Sequence, residues 1–348
     1  MQKKDVVVGI QSNRVVAIDY LKGFSIFTIV LMHLLNTMSA IPSKIQTLAS
    51  IGGAGVHVFF LCSGIGLYLS YLKRKTNYYD FLRKRFTKIY IPYIIIVFIS
   101  FLLPWMYTGI DRFIALLSHV FLFKMFVSRF EVSFGMQLWF ISTIIQLYLV
   151  FLPMCKLKEK MKNNKLFVGS FFVISISWWI FCYCTGVQDV RIWSSFCLQY
   201  IWEFALGFII AEKLLEGKVF KISNYLLAII AIIGIALQAG MALVSDELKI
   251  FNDIPALCGY TALALCFMNI SYIEKGFIWL SRISYEFYLV HILVFVTVFH
   301  FTDPKGLFFQ CLIGIISMIV TIIFSVVYHK FLYSMIFKKI TTRSKVIQ

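Results

Sequence analysis

Two residues eleven positions apart, Lys22 and His33, bracket the stretch DYLKGFSIFTIVLMH at positions 19–33. At about 100° per residue this spacing is about three helical turns, so both side chains fall on nearly one face, roughly 16 Å apart along the axis. A cation there could hold an anionic group and the imidazole could move a proton. If the helix enters a bilayer near Lys22, His33 lies near mid-membrane, where an ionisable group is costly and marks function by default. The competing reading is a packing histidine bonded to a neighbouring helix, and spacing alone does not separate the two.

Other residues offer related chemistry. In YYDFLRKRFTKIYIPY, Arg85 and Lys88 are three apart and share a helical face, so they could grip one multiply charged anion. The alternative is that this basic cluster only orients the chain and touches lipid headgroups. Ser142 and Gln146 are four apart on an apolar stretch, as are Gln199 and Glu203. They could line a polar track or bond between helices. A mid-span carboxyl such as Glu203 must be protonated, paired or facing water. Ser284, Tyr288 and His291 form a polar stripe at steps of four and three. His57, near an external helix end, could be a second polar group of a pathway, but is expected rather to snorkel to the surface.

These residues need elements to position them, and composition says what those are. The 348 residues are 60% hydrophobic, 14% charged and 18% aromatic, with mean hydropathy +0.86. A soluble domain carries roughly 25% charged residues, so the chain reads as an all-α polytopic membrane helix bundle. Spans of roughly 20 residues each fall at 23–41, 50–72, 89–109, 137–155, 166–184, 194–212, 223–244, 254–272, 280–300 and 306–329. The stretch 113–127, broken by Lys124, is too short and reads as interfacial or re-entrant. With the N-terminus inside, all but seven of the 33 basic residues (Lys44, Arg112, Lys124, Arg129, Arg191, Lys249 and Lys305) fall on cytoplasmic loops or ends. This bias supports an even span number and two cytoplasmic termini. It also explains the net charge of +17 without nucleic acid.

The eight cysteines lie mostly in apolar segments without paired spacing and read as small packing residues. No zinc or other metal site is expected, because the histidines do not come in close helical pairs and carboxylates are few. Nor is there a catalytic-triad, Walker or dinucleotide motif. The N-terminus lacks a small-residue cleavage site, so its first apolar run is expected to be retained. No long linker, repeat or sizeable external loop interrupts the chain, which is expected to form one membrane domain over 1–348. Such a bundle could transport a glycan or lipid-linked sugar, or transfer a group from a cytosolic donor.

Five elements in order resemble the acyltransferase-3 family, membrane O-acyltransferases that modify cell-surface glycans. Asp19, Lys22 and His33 match the family's Asp and its Arg-to-His spacing of eleven, with Lys replacing Arg. Phe59, Phe60, Ser63 and Gly64 are similar to its FF-x-x-SG. Arg85, Lys88, Ile89 and Tyr90, with Pro92 one place late, resemble its basic R-x-x-R-I-x-P-like element. Leu138, Trp139, Ser142, Gln146, Tyr148 and Leu149 match its LW-x-x-S…Q-x-Y-L pattern. Ile283, Ser284, Tyr285, Tyr288, Leu289 and His291 match ISY-x-x-YL-x-H. Lys at 22 and 88 removes a planar bidentate fork, and Ile144 and Ile145 stand where many members carry acids. The esterase-like domain that some members append is not expected here.

The resemblance implies a donor and a mechanism. Acyl-CoA, acetyl-CoA first, would act as donor substrate with no tightly bound cofactor, docking from the cytosol with its phosphates near Lys22, Arg85 and Lys88. His33 would serve as general base toward a sugar hydroxyl, or carry the acyl group itself. Asp19 is expected to orient Lys22, with Ser142, Gln146, Glu203, Tyr288 and His291 as supporting polar residues. The acceptor would be a surface glycan or its lipid-linked precursor, and the setting a bacterial cytoplasmic membrane.

Overall fold

A computed structural model of the protein describes residues 5–10, 15–244 and 246–334. Lys3, Lys4, Arg14, Lys338, Lys339, Arg343 and Lys345, counted above among the cytoplasmic charges, lie outside the described residues.

After a short strand β1 (Val6–Val8) come α1 (Val16–Thr37), α2 (Ser43–Ala49), α3 (Gly55–Lys73), α4 (Tyr78–Leu102), α5 (Arg112–Val120), α6 (Trp139–Lys160), α7 (Asn164–Cys184), α8 (Arg191–Ser194) and α9 (Cys197–Leu215). Strand β2 (Phe220–Ile222) precedes α10 (Asn224–Val244), α11 (Asp253–Met268), α12 (Ser271–Ser281), α13 (Ser284–Thr302) and α14 (Gly306–Leu332). Nine helical stretches among the described residues are long and apolar enough to cross a membrane. The chain is an all-α polytopic membrane bundle, as expected, because only closed backbone hydrogen bonding survives in hydrocarbon.

The tenth expected span differs. Helix α11 has 16 residues, about 24 Å at 1.5 Å each and so short of the roughly 30 Å hydrocarbon core. The chain breaks at Asn269 and Ile270 and continues as the 11-residue α12. Helix α4 departs the other way. It starts at Tyr78, where the Asn77 side chain accepts from the Asp80 amide at 2.8 Å, a strong N-cap. The basic cluster 83–88 is therefore the first part of the helix rather than a loop before it. Hydropathy finds apolar runs, and a helix that extends into the headgroup zone is longer than its apolar run.

Glycines set the closest helix pairs. A Cβ on Gly64 would lie 2.3 Å from the Phe204 carbonyl oxygen, and one on Gly207 would lie 2.7 Å from that of Leu61. Helices α3 and α9 thus touch backbone to backbone, the small-residue contact that membrane helices use. Helix α1 packs on α3, α11, α12 and α13 and contributes to both apolar cores. One is built with α3, α7, α9 and α11, the other with α4, α13 and the loop before α6. The candidate site lies at the seam between them. At the end where α3, α6 and α9 finish, Lys75 bonds Glu159 at 2.5 Å and Lys158 bonds Glu212 at 2.8 Å. β1 pairs antiparallel with β2, Val7 opposite Lys221, which ties residues 6–8 to the α9–α10 loop.

Candidate functional site

One cavity of about 230 Å³ is lined by Lys22 and His33 together, with Ser63, Gln137, Tyr148, Ser284 and Tyr288 as its other main polar residues. Its remaining wall is largely apolar, including Ile26, Ile29, Val56, Phe59 and Phe140. The three-turn spacing on α1 thus places the cation and the imidazole along one hollow.

His33 faces a second imidazole. The ring centres of His33 and His291 are 5.2 Å apart with their planes at 33°. His291 is fully buried. Its Nδ1 is 3.2 Å from the Phe287 carbonyl one turn earlier, an oxygen that only accepts, so in the neutral ring Nδ1 carries the hydrogen and Nε2 is left as an acceptor. That Nε2 is buried without a protein partner. Tyr288, one turn back on α13, donates its hydroxyl to the Gln137 carbonyl at 2.7 Å. Tyr285 donates to the Ile89 carbonyl at 2.6 Å, three residues before Pro92, which brings no helical donor.

The loop between α5 and α6 holds Gln137 in place. Gly135 has φ +133°, a conformation that favours glycine. Lys124, almost fully buried, donates from Nζ to the carbonyls of Ser133 and Gly135 at 3.0 and 2.9 Å. His119 bridges the Tyr93 hydroxyl, 2.7 Å from Nδ1, and Ser133 Oγ, 2.9 Å from Nε2. Burial pushes the Lys124 ammonium down to about 7, against an upward pull from Glu131. The carboxamide Oε1 of Gln137 is buried without a partner, and its side chain borders the cavity. No spacing or motif marks Gln137 in the sequence, because its placement depends on this clamp.

The remaining candidates are dispersed. Asp19 lies beside Lys22 in a second cavity, yet no ion pair joins the two among the described residues. The contact by which Asp19 was to orient Lys22 is therefore not formed. Arg85 stacks on Phe81 at 5.8 Å and lines neighbouring cavities, one of which shares Tyr148 with the main one. Lys88 lies within electrostatic reach of both Arg85 and Lys22. Gln146 accepts from the Cys197 amide at 3.1 Å and joins α6 to α9. Neither Gln146 nor Ser142, which is buried, borders the main cavity.

Glu203 answers a histidine, and it is His57 rather than His33. Nδ1 of His57 lies 2.7 Å from Glu203 Oε1, and its Nε2 is 3.9 Å from Asp253 Oδ1. Gln199 completes the group by donating to Asp253 at 2.8 Å. His57 therefore does not snorkel; α3, α9 and α11 enclose it between two carboxylates. These three side chains offer ligand atoms within 4.8 Å of one another. The carboxylates approach opposite ring nitrogens, however, which suits a hydrogen-bonded bridge better than one shared ion, since a metal takes one nitrogen per imidazole.

The cavity therefore joins His33, backed by a second imidazole, to a cation three turns away and an unpartnered carboxamide oxygen within a membrane bundle. Comparison with known proteins identifies the family of the chain as a whole. No curated protein and no solved structure matches the chain. A family model described as an acyltransferase domain matches residues 15–330, and on that match the chain belongs to the acyltransferase-3 family, as a multi-pass membrane acyltransferase.

Proposed function

We propose that this acyltransferase moves an acyl group, acetyl first, from cytosolic acyl-CoA to a sugar hydroxyl of a cell-envelope polysaccharide or its lipid-linked precursor. It acts as one domain in a bacterial cytoplasmic membrane. The observation that carries the reading is the single cavity shared by Lys22 and His33. The hydroxyl oxygen attacks the thioester carbonyl while His33 takes its proton. The C–S bond breaks, the thiolate leaves, and His33 returns the proton to sulfur, so the step is proton-neutral overall. His291 packs against His33 and holds its ring in the wall. The Gln137 Oε1, lacking a partner, offers an acceptor to a second hydroxyl of the sugar, and the apolar wall excludes competing water.

The test is mass spectrometry of surface glycans from cells with and without the chain, and with His33→Ala in its place. An acyl-sized mass present only with the intact chain supports the reading. An unchanged glycan accompanied by movement of the sugar across the membrane would make the protein a carrier.

A further inference from the structure

Lys22 borders two cavities. Beyond the one that holds His33 lies a more polar hollow of about 380 Å³, at the end that the loop charges assign to the cytosol. Three cations from three segments line it: Lys22 from α1, Lys73 from the end of α3, and Arg282 from the junction of α12 and α13. None of the three is in an ion pair among the described residues. One carboxylate, Asp19, shares the wall, so the hollow carries an uncompensated positive charge. Like charges gathered in a partly enclosed mouth focus a field that an anion relieves. Gly66 is in the same wall, and a Cβ added there meets nothing within 4 Å.

A length argument links this hollow to the chemistry at His33. The pantetheine arm between the diphosphate and the sulfur of CoA is as long as about four residues of extended chain, roughly 13–14 Å, and the flexible Lys22 side chain covers the remaining few ångströms. The axial distance from His33 to Lys22 is roughly 16 Å. A thioester at His33 therefore puts the diphosphate at Lys22. The 3′-phosphoadenosine end must then lie beyond Lys22, where Lys73 and Arg282 are. Arg85 opens onto different cavities.

We infer that Lys22, Lys73 and Arg282 form the docking site for the phosphate-bearing end of the donor. This rests on the function proposed above and adds Lys73 and Arg282 to the donor contacts. The same cations could instead hold the phosphate of an anionic lipid, and the experiment separates the two sources. Kd is measured for CoA and for pantetheine, which lacks the nucleotide and phosphates, on purified protein in neutral detergent. The double variant Lys73→Ala/Arg282→Ala is expected to weaken CoA about tenfold or more and to leave pantetheine unchanged. Gly66→Phe, which fills the hollow without altering charge, is expected to weaken CoA as well, while Gly66→Ala does not.

Unchanged CoA affinity in the double variant, or equal loss for both ligands, overturns the assignment. So does a variant that loses only its retention on phosphatidylglycerol vesicles relative to phosphatidylcholine ones. A wild-type protein that binds CoA but transfers no acyl group sinks the proposed function and leaves this site standing. One that transfers normally while the variants bind CoA like wild type sinks this site alone.

Discussion

His33 on α1 and His291 on α13 meet with ring centres 5.2 Å apart, although they come from opposite ends of the chain. Only His33 borders the cavity; His291 stands behind it, fully buried. The two rings therefore hold different positions, one at the cavity and one behind it.

That difference predicts separable effects. His33→Ala should reduce acyl transfer by about 10²–10⁴-fold, the ordinary contribution of a positioned base, with expression and detergent melting unchanged. His291→Phe keeps a ring in the wall and should lower kcat less, leaving KM for donor near wild type. Steady-state kinetics on both variants checks this, and full activity in His33→Ala would falsify the assignment of the base.

Lys22 stands where its family relatives typically carry arginine, and it borders both hollows. Lys22→Arg should retain or improve donor KM, because a planar fork matches phosphate better than a point charge. Lys22→Ala should raise donor KM about tenfold with a smaller change in kcat. Titration of acyl-CoA at saturating acceptor reads both.

Glu203 is the hydrogen-bond partner of His57. Removing it leaves the imidazole between α3, α9 and α11 with Asp253, at 3.9 Å, as its remaining carboxyl neighbour. Leaving a buried hydrogen-bonding group without its partner typically costs about 1–3 kcal/mol. Glu203→Ala should lower the melting temperature in detergent markedly and Glu203→Gln less so. Calorimetry or intrinsic fluorescence on heating measures it.

Lys124 predicts a pH dependence. Burial brings its ammonium from 10.5 down to about 7 in the folded protein. Between those values the unfolded chain holds a proton that the folded chain has released, so stability rises with pH. Melting temperature should climb from about pH 7 toward 9, and Lys124→Met should flatten that part of the profile. An identical slope in the variant would remove Lys124 as its source.

The parts of the site legible in the sequence are those carried on single helices. Lys22 and His33 share α1, and Ser284, Tyr288 and His291 share α13, so helical spacing alone aligns them. Gln137 was not legible. Its position depends on a left-handed glycine and a lysine clamped to loop carbonyls, which no periodicity encodes. The His57 group was missed for another reason. Each member is isolated in its own apolar segment, and three separate helices must pack before they meet. The break between α11 and α12 escaped because apolar residues continue across it.

The small pairing of β1 with β2 has a consequence for how the cationic hollow can vary. Ile10 and Val15, just after β1, line the cationic hollow together with residues of the bundle. One wall of the hollow thus includes residues that precede the first membrane-span helix. The opposite wall belongs to α1, α3 and α12, and α1 packs on both of the others. Evolution or an engineer can recut the first wall to suit a bulkier or differently charged donor without disturbing insertion.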